Sequence, residues 1–359
     1  MLALTGVDCQ QGTDQPASQK RMEPRKQEIL RAVIGEFTSS ALPVGSQVLV
    51  SRHFVNLSSA TVRGELSELS DLGYLVQPHT SAGRIPTDRG YRYFVDFLMS
   101  PQAVPLDVES FIEGELRFAP ADPQALVEKV ATTTAAVTQN AAVVSSPHGP
   151  QARLKHVDLV SLEPTEVLVI LLVEGNLLRQ QVLSLGQLTT QAELSRLSNK
   201  FNRELGGKDR DALMLRMARL EPGLEQELLS RLVDALELFE RGAERLVVHD
   251  GVRNLLRQPE FAEPSRLHQV LEVLEETRHL AALLQELVGT SDLEIVIGSE
   301  NQTSQLRSCT VVLTTYGPSR RLKGVLGVVG PTRMDYGQTV GRLQAVARRA
   351  SERLSEAWT

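Results

Sequence analysis

Between residues 58 and 84 the chain carries two clusters of side chains suited to hydrogen bonding with phosphate oxygens and base edges. In the first, Ser58, Ser59 and Thr61 offer hydroxyl donors, Arg63 offers a guanidinium to phosphate or guanine, and Ala60 offers a methyl group that fits against a thymine methyl. Taken alone, Ser59 reads equally as a helix N-cap, while for Arg63 a contact to DNA is favoured over a solvated surface cation. The second cluster is Gln77-Pro78-His79-Thr80-Ser81-Ala82-Gly83-Arg84, where Gly83 permits a tight reversal. Arg84 and the hydroxyls, beside His79, can then face a nucleic-acid backbone or minor groove, and the same text also suits a plain surface turn.

Specific elements must hold these groups. Arg25 to Phe37 places Ile29, Leu30, Val33, Ile34 and Phe37 at helical spacing and stops at Ser39-Ser40-Ala41-Leu42-Pro43, predicting a first helix. Ser46 can cap a short second helix running to about Phe54, with Asn56 to Ser58 as the turn that follows. A third helix begins at Ser58 or Ser59. Its core stripe is Val62, Leu66, Leu69 and Leu72, and Gly73 suits a left-handed C-terminal cap.

The face opposite that stripe presents Ala60, Gly64 and Ser67, flanked by Arg63. Small groups plus one cation let a helix sink into a major groove about 12 Å wide. Glu68 and Asp71 come only in later turns and Glu65 turns toward the core edge, so the helix would enter the groove N-terminus first. Tyr74-Leu75-Val76 reads as a short strand ahead of the loop and Thr87 to Met99 as another helix, with Arg89 and Arg92 extending the basic patch. The whole has the order of a winged helix-turn-helix over residues 23–100.

Downstream, Pro- and Ala-rich text from Ser100-Pro101 to about Pro123 reads as a linker ahead of a helix at Leu126 to Val137. Leu154 to Leu162, Val167 to Val173 and Leu177 to Leu185 are strand-like, with Glu174-Gly175-Asn176 as a hairpin turn. Thr190 and Glu193 form a capping-box pair before Leu194, Leu197, Phe201 and Leu205. Leucines then recur at helical spacing through Leu224 to Leu246 and Leu267 to Leu287. Strand text returns at Leu293 to Ile297, Thr310 to Thr315 and Leu322 to Val329, before a last helix through Leu354. The expected architecture is therefore α+β and multidomain: an antiparallel sheet domain at 101–205 and 289–359, interrupted by a mainly helical insertion at 206–288.

Other chemistries lack their residues. The histidines at 53, 79, 148, 156, 249, 268 and 279 form no His-Glu-x-x-His pair and adjoin no Cys-x-x-Cys, so no metal is expected. Gly324, Gly327 and Gly330 recur every third residue, out of register for a dinucleotide or phosphate loop, and close strand packing is their expected use. Glu275-Glu276 suits a solvated helical face, and neither a catalytic residue nor a cofactor is expected.

At 359 residues and 42% hydrophobic the chain can bury two or three domains' worth of core. Its longest apolar run, Val167 to Val173, falls far short of the roughly 20 residues of a membrane span. The net charge is −6, but residues 20 to 96 carry ten Lys or Arg against eight Asp or Glu, while residues 101 to 359 carry 28 against 34. The acid lies downstream, and a near-neutral N-terminal module can approach phosphate. Cys9 and Cys309 are too few for a disulfide framework, which suits a reducing cytoplasm, and residues 1–22 read as a disordered tail.

Several longer motifs carry a resemblance. Pro43-Val44-Gly45-Ser46, Ser58-Ser59-Ala60-Thr61-Val62-Arg63 and Pro78-His79-Thr80-Ser81-Ala82-Gly83-Arg84-Ile85-Pro86 resemble the heat-inducible transcription repressor family HrcA. So do Gly90-Tyr91-Arg92-Tyr93, Asn254-Leu255-Leu256, Pro259-Glu260-Phe261, Ile297-Gly298-Ser299-Glu300-Asn301 and Gly330-Pro331-Thr332-Arg333-Met334-Asp335-Tyr336. The resemblance implies a winged helix, a GAF-like domain and, inserted in it, a dimerising subdomain. It implies a homodimer on an inverted-repeat operator in double-stranded DNA, repressing chaperone operons, kept active by the chaperonin and released on heating. The cytoplasm would be its compartment, on the nucleoid when bound. DNA-binding residues would be Ser46, Ser58, Ser59, Ala60, Thr61, Arg63, His79, Thr80, Ser81, Gly83 and Arg84. The family commonly has Asn where this chain has Gly64, so any base contact of that Asn is absent. The alternative reading is a ligand-sensing α/β regulator with a different operator.

Overall fold

A computed structural model describes residues 22–119, 123–147, 152–174, 178–240, 247–275, 292–317 and 323–357. The expected N-terminal tail, the turn at Gly175-Asn176 and the leucine repeat beyond Glu275 lie outside them. The chain divides into two compact units, Met1–Gly90 and Tyr91–Thr359.

In the first unit α1 (Pro24–Ser40), α2 (Ser46–Arg52) and α3 (Ser59–Asp71) precede β1 (Leu75–Val76) and β2 (Ile85–Pro86), which pair antiparallel. The core is Ile29, Leu30, Val33 and Ile34 of α1, Leu49 of α2, Val62, Leu66 and Leu69 of α3, and Leu75. Leu72 does not join that stripe. It is the C-cap of α3 and 47% exposed, because the chain has left the helix there, and Gly73 takes the left-handed conformation at φ 79°. Nor does Ser46 cap α2: Gly45 holds the cap position and Ser46 is the first helical residue, buried. The following helix, α4 (Asp88–Tyr93), passes into a π-helical turn at Phe94–Leu98.

The second unit replaces the expected linker with a helix, α5 (Leu106–Arg117). Its buried Ile112 and Leu116 lie one turn apart. Its Glu109 and Glu113 meet Arg348 at 2.9 Å and Arg349 at 3.3 Å on the C-terminal helix α12 (Tyr336–Ala357). Prolines flank this helix without entering it. α6 (Pro123–Thr138) follows, then a strand the periodicity does not reveal, β3 (Ala141–Ser145), whose residues are all buried.

One interrupted sheet is expected from the sequence; the described residues of the second unit form two. β4 (Leu154–Glu163), β5 (Glu166–Val173) and β6 (Leu178–Ser184) make a three-stranded antiparallel sheet. β7 (Val247–Asp250), β8 (Leu293–Ile297), β9 (Cys309–Tyr316) and β10 (Gly324–Pro331) join β3 in a five-stranded one, ordered β7-β3-β10-β9-β8. The strand membership expected of the insertion at 206–288 is thus corrected: β7 falls within it yet pairs with β3, and β4 to β6 fall outside it yet form a separate sheet.

The cause is packing. The inner residues Leu159, Val167, Val169 and Leu171 share a core with Leu194 and Phe201 of α7 (Gln191–Leu205) and with Leu228, Leu232 and Leu236 of α9 (Leu224–Glu240). The five-stranded sheet packs Val143, Val311 and Val329 with Leu255, Phe261, Val270 and Leu274. Alternation identifies a strand but leaves its ladder partner to the helices that cover it.

The three spaced glycines lie in the central strand β10, as close packing requires. A Cβ at Gly327 would fall 2.3 Å from a Leu313 methyl, and one at Gly330 would fall 2.1 Å from the Asn140 side-chain oxygen. On the outer face of the three-stranded sheet Val160, Leu168 and Val182 stand in register across all three strands, and Leu172 stands beside Leu178. Val160, Leu178 and Val182 are exposed there. Among the described residues no helix is long and apolar enough to cross a membrane.

Candidate nucleic-acid interface

Ser58 begins α3. Its Oγ accepts a hydrogen bond from the Thr61 backbone N–H at 3.0 Å and lies 2.9 Å from the Thr61 hydroxyl. The N-cap is therefore Ser58 and not Ser59, satisfying one of the donors that a helix start leaves free. Ser59 instead points inward, its Oγ 2.9 Å from that of the buried Ser46, which ties the start of α2 to the start of α3. Ser46 thus positions the helix rather than presenting itself to a ligand.

Ala60, Thr61, Arg63, Gly64 and Ser67 are exposed, on the face opposite Val62, Leu66 and Leu69. A Cβ at Gly64 would meet nothing within 4 Å. Two of the three acids of α3 are tied to α1: Lys26 contacts Glu65 at 3.3 Å and Glu68 at 3.0 Å, and Arg25 adds a longer contact to Glu65. The hydrogen bonds that Lys26 donates to the Glu23 and Glu68 carboxylates raise its pKa, so this cation stays charged and committed to α1 and α3. The far end of α2 is held to the same helix, with Glu36 taking Arg52 at 2.7 Å and His53 at 2.9 Å. The His53 hydrogen bond, followed by the Arg52 charge, keeps the Glu36 carboxyl below its usual range.

The wing is fastened at its base and open at its tip. Val44 and Arg84 exchange two backbone hydrogen bonds, of 2.9 and 2.8 Å. Beside them Gly83 lies so close to Val44 that an added Cβ would sit 2.4 to 2.7 Å from three Val44 backbone atoms. Gly83 therefore serves close approach, and not the tight reversal expected of it, since its φ is not in the left-handed region. Gln77 spans the loop by donating from Nε2 to the Thr80 carbonyl at 2.8 Å and the Ala82 carbonyl at 2.9 Å, leaving His79, Thr80 and Ser81 exposed.

Between α3 and the wing runs a groove of about 550 Å³, lined by Arg63 on one side and by Thr80, Ser81 and Arg84 on the other, with Gly45 and Gln47 at its end. Neither arginine has a carboxylate partner among the described residues, and the Arg84 Nε is buried without a hydrogen-bond partner. Two guanidiniums lining one groove, with no carboxylate partner among the described residues, suit an anionic ligand. The expected extension of this patch fails at Arg92, which binds Glu300, Asp96 at 3.3 Å and the Ile295 carbonyl. Arg89 lies over the Tyr74 ring, 4.8 Å from its centroid. Gln47 is not singled out by the sequence, since a lone glutamine carries no spacing signal, and Gln77 stands there only as the start of the wing loop.

Three helices, a wing and a groove holding unpaired arginines, ahead of a larger α+β unit, define the class of DNA-binding transcription regulators. Residues 124–340 match the family described as the HrcA protein C-terminal domain. The heat-inducible transcription repressor HrcA of Roseiflexus castenholzii is 35% identical over 339 residues, 92% of this chain and 94% of that protein. The one from Acidothermus cellulolyticus is 37% identical over 345 residues, 93% of this chain and 99% of its own. The chain belongs to the HrcA family of heat-inducible transcription repressors, which are regulators and not enzymes. A crystal structure described only as that of a hypothetical protein shares the fold, with a TM-score of 0.61 at 21% identity over 94% of this chain and all of the other.

Proposed function

We propose that this chain represses chaperone operons as a homodimer on an inverted-repeat operator. Ser58, Ala60, Thr61 and Arg63 of α3 meet the major groove, and His79, Thr80, Ser81 and Arg84 of the wing meet the adjoining backbone. Ser46, Ser59 and Gly83 hold those two surfaces in place. The observation that carries the reading is the groove in which Arg63 and Arg84 converge without acid partners. Phosphate is the anion a duplex supplies along its whole length, and a guanidinium binds it in a forked geometry that lysine lacks.

An inverted repeat calls for a two-fold partner. The three-stranded sheet with α7 and α9 is the dimerising insertion in this proposal, its apolar outer face of Val160, Leu168, Leu172, Leu178 and Val182 covered by a second copy. The five-stranded sheet is the GAF-like domain. The chaperonin keeps the repressor in its operator-binding state, heat diverts the chaperonin, and the protein works in the cytoplasm, on the nucleoid when bound. These roles rest on the family likeness.

Arg63→Ala and Arg84→Ala test the interface. Each should weaken binding to a duplex from the chain's own chaperone promoter by about tenfold or more, read by fluorescence anisotropy. The mass by light scattering should stay that of the wild type. Unchanged affinity in both variants would remove the groove from the interface.

A further inference from the structure

Gly64 stands sixth in the 13-residue helix α3, where glycine weakens the helix relative to alanine. Nothing among the described residues asks for it. Its φ is not in the left-handed region, no atom lies within 4 Å of where its Cβ would be, and the position is exposed. Gly83 and Gly90 of the same unit are different, because Val44 and the Tyr74 carbonyl would block a side chain at each. Gly35 of α1 is equally open and exposed, so an unfilled site does not by itself name a role.

The location of Gly64 does. Arg63, the preceding residue, lines the groove opposite Arg84, and the acids Glu65 and Glu68 are held toward α1. Gly64 does not itself line that groove; with Ala60 and Ser67 it lies on the exposed face of α3 that the reading above brings to the duplex. We propose that Gly64 is the point of closest approach between α3 and the major groove, a position at which operator choice is set by the lack of a side chain. A bare Cα lets the helix backbone come nearer the base edges by the thickness of a methyl group. It also leaves the facing base pair without a hydrogen-bonding partner from this position, so Ala60, Thr61 and Arg63 carry the discrimination around it. The proposal rests on the DNA-binding reading and adds to it a specificity-determining residue.

The test selects duplexes from a random-sequence library with the full-length wild type. It then measures the affinity of wild type, Gly64→Ala and Gly64→Asn for the winning duplex, together with each melting temperature. Gly64→Ala should melt at or above the wild type, showing an intact helix, yet bind the winning duplex about tenfold more weakly or worse. Gly64→Asn, carried through its own selection, should enrich adenine at one symmetric pair of positions where the wild type shows no preference, since an asparagine amide pairs with the adenine major-groove edge. Equal affinity of Gly64→Ala and wild type, with no new base preference for Gly64→Asn, overturns this proposal and leaves the DNA-binding reading standing. A wild type that enriches no sequence overturns both.

Discussion

Gly83→Ala should detach the wing. The new methyl would lie 2.4 Å from the Val44 carbonyl carbon and 2.5 Å from its oxygen, and both are main-chain atoms that cannot swing aside as a side-chain tip does. The strand base must part, and with it the paired hydrogen bonds between Val44 and Arg84. Forcing a group into packed space of this kind costs about 1–3 kcal/mol, and a domain of this size loses roughly 4–8 °C of melting temperature per kcal/mol. The core of Val62, Leu66 and Leu69 is untouched, so the helices remain. Hydrogen exchange should show the Val44 and Arg84 amides losing protection while the α3 amides keep theirs. Operator affinity should fall at least as far as in Arg84→Ala, because the whole wing moves with the arginine.

Leu168→Glu should divide the proposed dimer. Leu168 lies in the central strand of the three-stranded sheet, directly between Val160 and Val182, so a carboxylate there sits in the middle of the apolar outer face. The inner face, with Val167, Val169 and Leu171 in the core, is on the opposite side of the pleat and unaffected. Circular dichroism should match the wild type while light scattering gives half its mass. A monomer engages one half-site, so affinity for the inverted repeat should fall by about a hundredfold or more. A variant that stays dimeric places the interface on another surface.

The three helices of the first unit are legible in the sequence to within about three residues because their signals are local, whereas β2 reads there as part of the loop. The spacing of Val62, Leu66 and Leu69 fixes a face, and Gly73 ends the helix. Leu72 and Ser46 were misread where side-chain type suggests a role that backbone position denies: one residue past the helix in the first case, one residue inside it in the second. The second unit was readable as elements but not as sheets. β5 is a continuous apolar run in the sequence and an alternating strand in the fold; it pairs with β6 as the expected hairpin requires, but nothing in Val167 to Val173 shows that this sheet stands apart from the one built on β3. β3 is five small or β-branched residues whose partners, β7 and β10, lie about a hundred and more than 170 residues downstream. In the site, Ser58, Ala60, Thr61, Arg63 and the wing tip could be named from residue type and helical face. That Arg92 is spent on Glu300, 208 residues away, could not.

The central claim is that the groove between α3 and the wing holds operator DNA. It is tested most directly by titrating the full-length wild type against a duplex carrying the inverted repeat of its own chaperone promoter and against a scrambled duplex, each at several salt concentrations. The account predicts binding to the repeat at least about a thousandfold tighter than to the scrambled duplex, with log affinity falling linearly in log salt as several phosphate contacts are lost. Equal affinity for the two duplexes would contradict it.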